Sequence, residues 1–253
     1  QAHGSYPSYL YDDDRRIPLD NPDRSPHRKL AAGADPLDPA SYAAFSGNVY
    51  APDRIWERAR AFIRENRERP FFLFLSLTAP HANNERARAL GDGNEVPDLA
   101  PYADRPWNES QKNHAAMITR LDRDVGTLLA QLRALGLDDR TVVMFSSDNG
   151  PHREGGPNYQ PDFFAASGPF SGIKRALTDG GIRVPFIARW PGQIPAGTVS
   201  NEVGYFGDLM ATWGELAGGK VPAGLIASVW CPRCNGGVRR CGIRTSIGSS
   251  TRE

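Results

Sequence analysis

An α/β fold, with a mainly parallel sheet flanked by helices, is what this chain predicts, and three observations carry the prediction. Residues 71–77 and 141–147 are short apolar runs without a single charge. A strand covered on both faces of a parallel sheet reads this way, because neither face has to be polar. Each run follows a stretch whose apolar residues recur at the helical period. Helix alternating with buried strand is the pattern of an α/β domain.

The elements follow in order. The first 50 residues are rich in Pro, Asp, Tyr and Arg without sustained periodicity, and are expected to be irregular. Pro52 is a favourable first helical residue, and Ile55, Ala59, Phe62 and Ile63 share one face of a helix reaching about Arg67. Pro70 ends it. Phe71 to Leu77 is the first strand, closed by Thr78-Ala79-Pro80-His81, so His81 stands just past its C-terminal end. Residues 82–107, punctuated by Gly91, Gly93, Pro97, Pro101 and Pro106, read as a loop. A second helix spans about Ser110 to Leu135, with Met117, Leu121, Val125, Leu128, Leu129 and Leu132 as its stripe and Gly136 as its stop. Thr141 to Ser147 is the next strand, ending at Asp148-Asn149-Gly150. A glycine-rich loop, a strand over Arg183 to Trp190 and a helix over Phe206 to Ala217 complete the pattern.

Composition limits the partners. Over 253 residues, 30 Lys and Arg face 29 Asp and Glu, which leaves no concentrated basic field for nucleic acid or a membrane surface. No run approaches the roughly 20 apolar residues of a membrane span. The chain opens on Gln1 and shows no basic, apolar leader. Its three cysteines, Cys231, Cys234 and Cys241, resemble half of a zinc knuckle without a fourth ligand, so no structural zinc is expected.

In open α/β sheets ligands sit beyond the carboxyl ends of the strands, and His81 and Asp148-Asn149 both lie there. Asp148 and Asn149 offer a carboxylate and an amide carbonyl, hard oxygen donors suited to Ca²⁺ or Mg²⁺. The same residues with Gly150 equally suit a turn. Lys174, one of only four lysines, brings a compact positive charge to a glycine-rich segment, where it either holds an anion or is a solvated surface lysine. His152, four residues after Asp148, can approach the same place. Asp179 is expected to order the loop that holds Lys174. His3, His27 and His114 lack supporting context and read as surface residues.

Four segments together resemble the sulfatase family, specifically the arylsulfatase-like enzymes of the alkaline phosphatase superfamily. They are Arg69 to His81 (RPFFLFLSLTAPH), Leu121 to Gly126 (LDRDVG), Phe145 to His152 (FSSDNGPH) and Gly172 to Pro185 (GIKRALTDGGIRVP). The resemblance covers roughly residues 1–225. It implies a sulfuric ester hydrolase in which Asp148 and Asn149 coordinate a divalent cation, usually Ca²⁺ with Mg²⁺ as the alternative. His81 and Lys174 would hold the sulfate of a small-molecule or glycan ester, with His152 beside them. His81 would also assist the leaving alcohol. The family's nucleophile is a formylglycine made from the Cys or Ser of a Cys-x-Pro-x-Arg type motif, and no such motif occurs in these residues. The family's paired Asp residues and flanking Lys and His are missing as well.

The expectation is therefore a partial catalytic domain over residues 1–225, without the formylglycine region and inactive alone. An aberrant tail over residues 226–253, arising from a frameshift, would follow. A phosphoester or phosphonate hydrolase of the same superfamily and a non-catalytic truncated product stay open as alternatives. Asp148-Asn149, where those phosphoester relatives commonly carry an Asp-His pair, points to the sulfatase. The resemblance also implies a periplasmic or secreted protein.

Overall fold

A computed structural model describes residues 4–23, 31–35, 41, 47–219, 229–231 and 239–241. The chain divides into two compact units, Gln1–Leu137 with Ser146–Pro185, and Asp138–Phe145 with Phe186–Glu253.

The first unit is built on two helices. α1 (Ala51–Glu65) buries Ala51, Trp56, Ala59 and Ile63, close to the face expected from the periodicity. Full burial of side chains such as Trp56 and Ile63 contributes about 1.5–3 kcal/mol each. α3 (Glu109–Ala134) starts at Asn108, whose side chain accepts the Gln111 N–H at 2.9 Å and so caps the first turn. It stops before Gly136, which takes a left-handed φ of 64°. The two helices pack together. Arg120 forks onto the Asp53 carboxylate at 2.5 and 3.2 Å, and Gln131 Nε2 donates to Arg60 O at 2.8 Å.

Three sequence expectations in this unit are corrected. Residues 9–18 form a hairpin, β1 (Tyr9–Asp12) paired antiparallel with β2 (Arg15–Pro18). Its turn is Asp13-Asp14, with Asp13 at φ 53°, and lacks the Asn-Gly or Asp-Gly signature of a short hairpin. The expected loop over 82–107 contains α2 (Asn84–Leu90), capped by the Asn83 side chain on the Arg86 N–H and closed by Gly91 at φ 78°. Seven residues are too few for periodicity to reveal. The third correction concerns residues 71–77, which join none of the sheets among the described residues. Their exposure alternates, with Phe72 at 62% and Phe74 at 71%. An apolar run predicts a doubly covered strand only where neighbours cover both faces, and here alternate positions meet solvent.

The second unit pairs β3 (Val143–Ser146) with β4 (Phe186–Arg189). Asp138 receives the Arg189 guanidinium on both carboxylate oxygens at 2.7 and 2.8 Å. The α5 helix (Gly207–Leu216) contacts β5 (Val229–Cys231), where Val229 is buried, and β5 pairs antiparallel with β6 (Arg239–Cys241). Most of the expected tail, including Cys234, lies outside the described residues. A four-residue helix, α4 (Asp179–Ile182), belongs to the first unit.

Candidate active site

Two backbone contacts bring the glycine-rich loop against the segment that follows β3. Gly150 N donates to Gly181 O at 2.9 Å, and Lys174 N donates to Pro151 O at 2.8 Å. A β-carbon at Gly150 would overlap Gly180 O, and one at Gly180 would overlap Gly172 O. Glycine is needed at both positions because the backbones touch. Asp179 does not order this loop through its side chain: that carboxylate is 60% exposed and faces Arg183 at 3.6 Å. Hydroxyl bonds from Thr178 Oγ1 to Ser171 O (2.6 Å) and from Ser167 Oγ to Gly172 O (2.9 Å) do so instead.

Lys174 then meets His81, 93 residues earlier, at 2.9 Å between Nζ and Nε2. A third group completes the cluster. Glu154 Oε2 lies 2.9 Å from Lys174 Nζ and 2.9 Å from His81 Nε2. The other ring nitrogen of His81, Nδ1, lies 2.6 Å from Ala82 O, and as its donor it turns Nε2 toward the cluster. Glu154 Oε1 sits 2.5 Å from Arg175 Nη2 in an ion pair that lacks hydrogen-bond alignment. Burial pushes the Glu154 carboxyl up. The Lys174 hydrogen bond and the charges of Lys174, His81 and Arg175 outweigh it and hold the group below its ordinary range.

His152 lies beside this cluster, its ring 5.3 Å from that of His81. It is buried, and both ring nitrogens face backbone groups: Nδ1 accepts the Glu154 N–H at 3.0 Å, and Nε2 lies 3.2 Å from Pro80 O. Burial lowers its pKa and the Pro80 bond raises it; His81 and Lys174 reinforce the lowering, and the net shift is down.

His114 is buried on α3, not at the surface. Its Nε2 lies 3.0 Å from the Tyr159 hydroxyl and its Nδ1 has no hydrogen-bond partner among the described residues. Burial, aided by His152, pushes it down to about 3. His3 and His27 fall outside the described residues.

Asp148 is exposed and Asn149 half-buried at the end of β3. Asn149 Nδ2 donates to Gly150 O at 2.9 Å, so the amide oxygen is the atom available to a cation. Among the described residues no group of three or more His, Cys, Asp or Glu side chains converges to hold a metal ion. The two oxygen donors suit Ca²⁺ in kind, and they fill only part of the about six to eight positions it takes.

Sequence reasoning named His81, Lys174 and His152 and missed Glu154. A carboxylate set between His152 and Gly155-Gly156, in the segment leaving a strand end, was the available signal.

A family model described as Sulfatase matches residues 9–219. The chain belongs to the sulfatase family. It is 35% identical over 166 residues to the N-acetylgalactosamine-6-sulfatase of Canis lupus familiaris, covering 64% of this chain and 28% of the relative. It is 35% identical over 173 residues to the steryl-sulfatase of Mus musculus, covering 67% and 25%. The ulvan-active sulfatase of Formosa agariphila is 27% identical over 212 residues, covering 75% and 37%. The chain thus spans between a quarter and two fifths of the length of these sulfatase relatives. Among solved structures, that of Ps i-CgsB superposes with a TM-score of 0.60 at 29% identity, covering 72% of this chain and 38% of its own. The PsFucS1 sulfatase from Pseudoalteromonas sp. shares the fold with a TM-score of 0.55 at 24% identity, covering 75% and 36%. These likenesses agree with the α/β class that the sequence predicts.

Proposed function

We propose that this sulfatase-family chain supplies the sulfate clamp and part of the cation site of a sulfuric ester hydrolase acting on a sugar or other small-alcohol sulfate. The observation that carries the proposal is the convergence of Lys174 Nζ and His81 Nε2 at 2.9 Å, each delivered by a loop. Two nitrogen donors at one point suit a group whose oxygens carry negative charge. Lys174 holds a sulfate oxygen through its ammonium. His81 binds a second oxygen and passes the proton on Nε2 to the departing alcohol oxygen, which gains charge as the S–O bond breaks. Asp148 and the Asn149 amide oxygen hold one side of a divalent cation, Ca²⁺ by preference. When bound, that cation supplies positive charge to the sulfate oxygens. His152 stands behind the clamp. No residue of this chain is assigned the attack on sulfur; in the family that role belongs to formylglycine. Kinship with sugar- and steroid-named sulfatases supports the ester class.

The test is calorimetry on the 253-residue chain with calcium and inorganic sulfate. Asp148→Ala is expected to weaken calcium binding about tenfold or more. Lys174→Ala is expected to do the same to sulfate. Sulfate binding that is indifferent to both His81→Ala and Lys174→Ala would sink the proposal.

A further inference from the structure

We infer that Glu154 is a positioning residue of the sulfate clamp: its buried carboxylate pins Lys174 and His81 to one point and supplies the counter-charge that lets both be protonated together. The inference rests on the proposed function for what the clamp holds, and on geometry for the rest.

Two cationic groups 2.9 Å apart repel each other, and a carboxylate between them offsets that repulsion. Glu154 supplies that carboxylate, its Oε2 at 2.9 Å from each. Its side chain is 9% exposed against 20% for both His81 and Lys174. The carboxylate therefore underlies the pair and leaves the more open nitrogens to an incoming anion, which a carboxylate in front would repel.

Glu154 is itself held from several directions. His152 accepts its backbone N–H at 3.0 Å, and Arg175 pairs with Oε1. Arg175 has a φ of 80°, a left-handed backbone that is unfavourable for a residue with a β-carbon. The left-handed turn directly after Lys174 carries a largely exposed Arg175 side chain whose guanidinium meets Glu154 Oε1. Among the described residues, the charged and titratable groups facing His81 include Glu154, Lys174 and His152, with Arg175 behind Glu154.

A ring ¹H–¹⁵N titration of the 253-residue chain tests this. In Glu154→Gln, the pH at which His81 gains its second ring proton is expected to fall by about one to three units. The His152 ring is expected to stay neutral, because its bond is to the Glu154 backbone. Lys174→Met, which removes the positive charge beside Glu154 Oε2 and His81 Nε2, is expected to raise the His81 midpoint. An unmoved midpoint in a folded Gln variant overturns the inference, since a merely structural Glu154 would alter stability without moving that proton. Should the Gln variant not fold, the Met variant decides alone, and no rise there overturns it. Added inorganic sulfate separates the two readings. A His81 signal blind to sulfate, with both mutational shifts present, counts against the proposed function and leaves Glu154 in its role.

Discussion

His152 carries Glu154 on its ring: Nδ1 accepts the Glu154 backbone N–H at 3.0 Å while Nε2 meets Pro80 O at 3.2 Å. One buried side chain thereby joins the segment leading into His81 to the segment bearing the clamp carboxylate. His152→Ala leaves both backbone groups unpaired, at a cost of about 1–3 kcal/mol in unfolding free energy by urea titration. Inorganic sulfate affinity is expected to fall about tenfold, or about 1.4 kcal/mol. A folded His152→Ala chain that binds sulfate normally would show that the two segments do not need this tie.

Buried His114 makes the fold acid-sensitive. Its folded pKa is depressed from 6.5 to about 3, so below about pH 6.5 the unfolded chain takes up a proton that the folded chain refuses. Stability is therefore fully present above that pH and declines as pH falls toward 3, by at most about 1.4 kcal/mol per unit. His152, also lowered, acts in the same direction. Urea midpoints at neutral and mildly acidic pH should show the decline, and His114→Gln should flatten it. Equal slopes in the two proteins would refute the assignment.

Gly150 controls where Asp148 and Asn149 stand. A methyl group there overlaps Gly180 O, so the two backbones joined by the Gly150–Gly181 bond must shift apart. Gly150→Ala is expected to destabilise the first unit by about 1–3 kcal/mol. Calcium affinity, read by calorimetry, should drop with it, whereas Gly136→Asn at the end of α3 should leave calcium binding unchanged.

Arg120 joins α3 to α1 through Asp53, with Asp98 as a weaker second partner at 3.3 Å. Arg120 is 17% exposed and Asp53 36%, so solvent screens part of the pair. Arg120→Met is expected to cost about 1–2 kcal/mol, seen as a lower thermal midpoint. Raising the salt concentration should narrow the difference between the two proteins.

The sequence made α1 and α3 legible because each carries a stripe long enough to show a period. It also showed His81 and Asp148 at the ends of apolar runs and Lys174 in a glycine-rich segment, and family likeness gave them their expected roles. What it hid depends on contacts between distant segments. Nothing in the spacing places residue 81 against residue 174, and Glu154 has meaning only after both are present. His114 looked isolated because its partner, Tyr159, is 45 residues away and belongs to a loop. The left-handed backbone at Arg175 is invisible in sequence, where glycine would have announced it.

Residues 71–77 contain no charge, proline or glycine, and they turn Phe72 and Phe74 to water on alternate positions. Seven residues of that character are also the makings of a steric zipper, in which identical segments from many molecules stack into cross-β ribbons. The stretch that delivers His81 therefore carries the composition of an aggregation-prone segment.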